Sequence, residues 1–248
     1  MNSSRARQLL AECGAIIEGH FVGTSGKHLS VYVAKDAATK RSWVASELCS
    51  GIAERFYEED IDAVVAPAVG GVALSQWTAH HLSGFCLKEG GRKVLALYAE
   101  HEEELIGQCD EGQMYFSYSS EVRQGGFTLT KGQSLVIKKP TFVLKRGFNV
   151  DVRGKQVLVV EDILTTGGSA KNTVDAVRTA GGIVMGLGVL ANGGGVTAED
   201  VGVEKLEALM NVERRIYTED GCRQTGMCME GILINTEFGH GAEFLARK

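Results

Sequence analysis

The sequence predicts an α/β fold, a parallel sheet with helices on both faces, on three observations. Apolar runs of strand length recur along the chain, as in IDAVVAPAVGG (61–71), KVLALYA (93–99) and VLVVED (157–162). Stretches with apolar residues at helical spacing separate them, and two of the runs end in glycine turns that open the next helix. In sheets of this class ligands bind beyond the carboxyl ends of the strands, which directs attention to those turns.

Taken in order, residues 4–18 carry Leu9, Leu10, Cys13, Ile16 and Ile17 at helical spacing, with Ser3 or Ser4 as N-cap and Gly19 as the stop. FVGTSGKHLSVYV (21–33) alternates about Ser25-Gly26 and predicts strand, turn, strand. Residues 41–58 return to helical spacing through Trp43, Leu48, Ile52 and Phe56, and 61–71 is a buried strand running into a glycine turn. A helix over 72–83 and a buried strand over 93–99 follow. From 154 the alternation resumes: strand 156–160, helix 169–180, strand 183–190, a short helix near 197–201 and strand 205–211. Residues 101–141 break this rhythm. The segment opens acidic and ends FTLTKGQSLVIKKP, a pattern that predicts a β-hairpin turning at Lys131-Gly132. Roughly 40 residues is far longer than an ordinary connection, so it reads as an insertion or lid. No linker divides the chain, and a single domain over 1–248 is expected.

Composition sets limits on function. With 248 residues, 44% hydrophobic and 23% charged, the chain has material for a large core. The N-terminus MNSSRARQLLAECG lacks the apolar centre of a signal peptide and no run is long enough to span a bilayer, so a cytoplasmic location and no membrane partner are expected. The net charge is −5 and no basic run could follow a nucleic-acid backbone, so no nucleic-acid partner is expected. The six cysteines (13, 49, 86, 109, 222 and 228) suit a reducing compartment. Cys222 and Cys228 alone are close enough to raise a zinc question; without a second ligand pair beside them, the reading is no metal ligands.

The chemistry concentrates in two turns, Pro67-Ala68-Val69-Gly70-Gly71 and Thr165-Thr166-Gly167-Gly168-Ser169. Backbone amides at a helix start lack internal partners and carry the positive end of the helix dipole; glycines allow close approach and hydroxyls add donors. Strand-to-helix turns use such residues as caps without any ligand, but two together suggest a ligand with two phosphate groups. Glu161 and Asp162 stand just before the second turn, where carboxylates accept hydrogen bonds from sugar hydroxyls or steady a hydrated Mg²⁺. An acidic strand end also occurs in receiver domains, which have no use for a TTGGS cradle three residues on. There is no GxxxxGK[ST] and no GxGxxG after the first strand, which argues against a nucleoside triphosphatase and a dinucleotide fold. A phosphorylated ribose fits these features.

VLVVEDILTTGGS resembles the 5-phosphoribosyl-1-pyrophosphate (PRPP) motif of type I phosphoribosyltransferases. AECGAIIEGHFVGTSGKHLSVYVAKD, PAVGGVALSQWTAHHLS, FVLKRGF, GVTAEDVGV and INTEFGHGAEFLA resemble, in turn, the hood, pyrophosphate turn, post-loop strand and C-terminal part of the orotate phosphoribosyltransferase family. The likeness covers the chain except 101–141. It implies the type I fold with a small hood from regions near 1–40 and 220–248, and transfer of phosphoribose from PRPP to a nucleobase, orotate first among the candidates. Glu161 and Asp162 would hold the ribose hydroxyls, Leu164 to Ser169 the 5′-phosphate, and Ala68, Val69, Gly70 and Gly71 would face the pyrophosphate. Lys145 and Arg146 would join the two acids as catalytic groups, and Lys27, His28, Tyr32, Thr165 and Gly193 would surround the base. Mg²⁺ would be held mainly through PRPP, and a homodimer is implied because the family's mobile loop reaches a neighbour's site. Three departures stand out: Gly70 where many members carry Lys, an acidic start to the mobile loop (Glu100 to Glu104, leaving Lys131, Lys138, Lys139, Lys145 and Arg146 as cations), and Gly193 where an Arg usually contacts the base. The alternatives are the same reaction on another base, or a non-catalytic PRPP-binding regulator. A regulator of that kind carries a basic helix-turn-helix segment, which this sequence does not show.

Overall fold

The computed structural model describes residues 1–23, 25–88, 93–119 and 124–247, with the side chains of 85–88, 118, 119 and 124 left aside, so the Cys86 thiol and the insertion's tip at 120–123 lie outside what it describes. Helix α1 (Ser3–Glu12) is capped by the Asn2 side chain on the Arg5 amide. It ends earlier than its apolar spacing predicts. Gly14, at φ +72°, turns the chain left-handed, and the Ala15 amide reaches back to the Leu10 carbonyl at 2.8 Å. Ile16 and Ile17 therefore open strand β1 (Ile16–Val22) instead of closing the helix, and Gly19 lies inside that strand near a register shift. Strand β2 (His28–Val33) pairs antiparallel with β1, as the alternation predicts.

After α2 (Lys35–Thr39), helix α3 (Ser42–Arg55) buries Leu48 and Ile52, with Phe56 buried just beyond it, but leaves Trp43 exposed at its first turn. Strand β3 (Ala63–Pro67) and helix α4 (Val72–Lys88) follow; the helix runs five residues past its expected end. Strand β4 (Leu95–Gln108) continues well beyond 99. Then come β5 (Gln113–Ser119), β6 (Gln124–Thr130), β7 (Ser134–Val143), α5 (Phe148–Asp151), β8 (Gln156–Leu164), α6 (Gly168–Thr179), β9 (Ile183–Asn192), α7 (Ala198–Val201), β10 (Leu206–Asn211), β11 (Ile216–Tyr217), α8 (Glu219–Thr225) and α9 (Gly241–Leu245).

The main sheet has the order β10-β9-β8-β3-β4-β7, parallel except for β7 at one edge. Successive strand residues face opposite sides, and here both sides are covered. Val64, Ala66, Leu158 and Val160 pack with Leu10, Leu48, Ile52 and Phe56 on one face. Ala63, Val65, Val157 and Val159 pack with Val174 and Val177 of α6 on the other. Each fully buried aliphatic side chain contributes roughly 1.5–3 kcal/mol. The strand order reverses between β3 and β8, so the two glycine turns emerge side by side at the carboxyl edge. A small sheet, β1-β2-β11, joins the N-terminal hairpin to the C-terminal region.

The insertion is a long two-stranded arm. β4 pairs with β7, and β5 with β6 beyond them. Lys131-Gly132 does turn the chain, but the strands on either side of it pair with other partners, so the expected local hairpin is replaced by a nested one. The acidic start also finds its balance here: Glu103 lies opposite Lys138, while Lys139 pairs with Glu102 and Glu104. Among the described residues no helix is long and apolar enough to cross a membrane.

Candidate active site

Helix α6 begins at Gly167, whose φ of +78° favours glycine and where an added Cβ would lie 2.9 Å from Val201. This sharp entry aims the first-turn amides of α6 into a cavity of about 560 Å³. Thr165, Thr166, Gly168 and Ser169 are exposed around its floor, whereas the Leu164 side chain is buried in the core. No side chain caps α6, so its amides face the cavity ready for an anion.

Glu161 and Asp162 fall within β8, not after it, and each is only 6% exposed. Glu161 Oε1 accepts from the Asp162 amide at 3.0 Å, and Asp162 Oδ1 accepts from the Ile163 amide at 2.7 Å. Burial, reinforced by the neighbouring Asp162, pushes Glu161 up to about 8. Across the cavity Lys35 Nζ lies 2.6 Å from Asp162 Oδ2. Burial works against the charge on Lys35, but the attraction and hydrogen bonding of Asp162 prevail and raise its pKa.

The Ala68–Gly71 turn does not line this cavity but adjoins it through Gly70. A Cβ on Gly70 would collide with Lys35 Nζ and come within 2.9 Å of Asp162 Oδ2. The Lys35 ammonium thus stands over the position where the resemblance leads one to look for a lysine. Val69 is exposed, and the Ala68–Val69 peptide is cis.

The base-side expectations are revised most. Lys27 is exposed on the β1–β2 turn and does not line the cavity. His28 is fully buried and points away, toward His20, Cys222 and Cys228. Its place in β2 puts its side chain on the face that meets the C-terminal segment. Tyr32 does line the cavity, between the rings of Phe21 and Phe238, as does Thr165. Gly193 is buried and its amide already donates to the Leu164 carbonyl at 2.9 Å, so that N–H is committed. Above it lies Arg214, whose Nε donates to the Gly193 carbonyl at 2.7 Å and whose guanidinium carbon would be 2.9 Å from a Cβ at 193. Arg214 lines the cavity, and its Nη2 is buried without a hydrogen-bond partner among the described residues.

Lys145 and Arg146 are not brought to the cavity. Lys145 pairs with Glu103 at 3.5 Å and Arg146 with Glu100 at 3.2 Å, because the strand that precedes them runs beside the acids of β4. Sequence reasoning passed over Lys35 and Arg214. Arg214 had a signal, since it follows a correctly placed strand at the sheet's carboxyl edge. Lys35 had none, because its partner Asp162 is distant in sequence.

An anion cradle and two carboxylates at the end of one strand, under a cationic rim, define a protein that handles a phosphorylated sugar. Known proteins of this class resemble the chain closely: the family described as Phosphoribosyl transferase domain matches residues 44–211. The chain belongs to the phosphoribosyltransferase family. Among its relatives, the orotate phosphoribosyltransferase of Pelotomaculum thermopropionicum is 31% identical over 90% of either chain. That of Desulforamulus reducens is 29% identical over 94% of either chain. Among solved structures, orotate phosphoribosyltransferase from Mycobacterium tuberculosis superposes with a TM-score of 0.55 at 20% identity, covering 85% of this chain and 96% of that one. The enzyme from Aeropyrum pernix gives 0.51 at 21% identity, covering 83% and 92%. These likenesses bear out the type I fold.

Proposed function

We infer that the protein transfers phosphoribose from PRPP to orotate, forming orotidine 5′-phosphate and pyrophosphate in pyrimidine biosynthesis. The observation that carries the choice of base is Arg214. Orotate is an anion, and a guanidinium with an uncommitted, buried Nη2 beside Thr165 and Tyr32 supplies the charged donor its carboxylate needs. The full-length orotate phosphoribosyltransferases among the relatives point the same way.

In this reading the α6 amides and the hydroxyls of Thr165, Thr166 and Ser169 hold the 5′-phosphate, while Glu161 and Asp162 accept the ribose hydroxyls. A ring nitrogen of orotate loses its proton, to the departing pyrophosphate or to water, and forms a bond to C1′ as the bond from C1′ to pyrophosphate breaks. Positive charge grows on the sugar and negative charge on the leaving group. Lys35, over the Gly70 turn, is placed to offset the latter. Mg²⁺ fits a site held mainly through PRPP oxygens: Asp162 already faces Lys35 and Glu161 is buried with a raised pKa, so the carboxylates are better placed to hold hydroxyls or metal-bound water than to form a cage. When bound, the ion would neutralise charge on the departing pyrophosphate.

The arm favours a homodimer. Leu105 and Val136 face each other across its strands and are exposed, an apolar pair on one side of the arm that a second copy would cover, while Ile137, opposite Glu104, is exposed on the other side. A cytoplasmic location suits such an enzyme. Incubation with PRPP, Mg²⁺ and a panel of free bases, with nucleotides resolved by chromatography, tests the reading: orotidine 5′-phosphate is expected, and its absence beside another nucleotide would reassign the base.

A further inference from the structure

Away from the active cavity, the hood gathers four side chains with ligand chemistry. His20 from β1, His28 from β2, Cys222 from α8 and Cys228 from the turn after it place one donor atom each within 4.8 Å of all the others. Three are buried and Cys228 is partly so. We propose that these four residues form a structural zinc site that ties the N-terminal hairpin of the hood to the C-terminal segment.

The geometry is near that of a tetrahedral site. Cys222 Sγ lies 3.7 Å from His20 Nε2, and Cys228 Sγ lies 3.8 Å from His20 Nε2 and 3.6 Å from His28 Nδ1. With Zn–N of about 2.0–2.1 Å and Zn–S of about 2.3 Å, a tetrahedron has N–S edges of about 3.6 Å, so these three edges already match. The two ring nitrogens, at 2.6 Å, are closer than the roughly 3.3 Å such a tetrahedron requires and would part by about 0.7 Å.

The surroundings orient the ligands. His20 Nδ1 lies 2.7 Å from the Ile232 carbonyl, which can only accept, so Nδ1 carries the proton and Nε2 turns its lone pair into the cluster. The Phe244 ring packs edge-on against His28 with centroids 5.1 Å apart. Cys222 Sγ accepts from the Cys228 amide at 3.3 Å, a contact that fixes the position of the sulfur. Two thiolates would balance the charge of a divalent ion, which lets it sit in a buried place. Two soft sulfurs and two imidazoles select zinc over magnesium or calcium, and four protein ligands leave no open position, the mark of a structural site.

The spacing explains why the sequence conceals it. Cys222 and His20 are 202 residues apart, and neither the histidine pair nor the cysteine pair has the short spacing of a zinc finger. The lack of a second ligand pair near Cys222 and Cys228 in sequence is made good in space by two histidines from the other end of the chain. Closing so long a loop restricts the unfolded chain, so the ion would stabilise the hood. The same region positions the cavity wall, since the Asn235 amide donates to the His20 carbonyl at 2.7 Å and the His240 amide to the Val22 carbonyl at 2.8 Å.

The test uses the full chain. Protein loaded with Zn²⁺ and desalted should retain about one zinc per chain by elemental mass spectrometry. Replacement with Co²⁺ should give the visible bands of tetrahedral cobalt and a near-ultraviolet thiolate band. Cys228→Ser and His20→Gln should lose that thiolate signature or weaken metal binding at least about tenfold, while Cys109→Ser, far from the cluster, keeps both. Alkylation mapped by mass spectrometry should show the partly buried Cys228 protected by zinc and released by a chelator. Should a variant fail to fold, the wild-type cobalt spectrum and the alkylation map still decide. Wild type that shows no tetrahedral cobalt–thiolate spectrum at micromolar metal, or zinc that does not protect Cys228, overturns the proposal.

Discussion

Arg214 Nε donates to the Gly193 carbonyl at 2.7 Å, and its guanidinium fills the space that a side chain at position 193 would enter. The segment after β10 thus places a guanidinium beside the position where the resemblance leads one to look for an arginine. That segment is itself held by a pair of hydrogen bonds between Arg215 and Ser30 of the hood. Burial lowers the pKa of Arg214 from its ordinary value, a cost that binding an anion would offset.

Replacing Arg214 by Ala should weaken orotate binding. Loss of one charge-assisted hydrogen bond costs roughly 1.5–3 kcal/mol, which is about a ten- to hundredfold rise in KM for orotate, with KM for PRPP nearly unchanged. Restoring the usual residue in place, as Gly193→Arg, should not help, because its Cβ would press against the Arg214 guanidinium. Steady-state kinetics on both substrates checks each variant. An unchanged orotate KM in Arg214→Ala would remove this residue from base recognition.

Lys35 and Asp162 should act as a unit. Asp162→Asn is expected to lower turnover by about tenfold or more with the fold intact, since an amide cannot accept the ribose hydroxyls as a carboxylate does. Lys35→Met should lower kcat/KM for PRPP by a similar order, and the double variant should lose less than the product of the two effects because they share one ion pair. Circular dichroism confirms the fold, and the kinetic cycle measures the coupling. Simple multiplication of the two effects would show that the residues work independently.

Much of this architecture was legible locally. Buried strands, glycine turns and the carboxylate pair lie in single stretches, where periodicity and turn chemistry act over a few residues. Ile16 and Ile17 were misassigned because apolar residues there fit helix and strand alike until Gly14 breaks the helix. The arm's pairing was obscure because the turn at Lys131-Gly132 is real while the strands beside it find partners farther away. Arg214, Lys35 and His20 reach their positions only through the sheet order and the hood, which no local pattern records.

The exposed apolar pair Leu105 and Val136 on one side of the arm should be covered in a dimer. Light scattering is expected to give twice the chain mass at micromolar concentration. Leu105→Glu with Val136→Lys should shift the protein toward monomer, since opposite charges placed on facing positions of one side of the arm keep it soluble while removing its apolar contact. A wild-type monomer with full activity would assign the arm another role.

Glu161 gives a pH prediction with a definite sign. Its carboxyl is held up to about 8 in the fold, chiefly by burial and then by Asp162, against an ordinary value of 4.5. An acid raised in the native state binds its proton more tightly folded than unfolded, so its contribution favours the fold below pH 4.5. That contribution falls as pH rises toward 8 and is constant above. Glu161→Gln keeps the shape and removes the titration. The variant should therefore gain on wild type in Tm as pH rises from about 5 to 8, by an amount on the order of 5 °C, and the difference should level off above 8. Thermal unfolding without ligand, measured across that range, is the check. A Tm difference that stays flat with pH would mean that Glu161 is ionised in the native protein and that the carboxylate pair carries both charges before PRPP arrives.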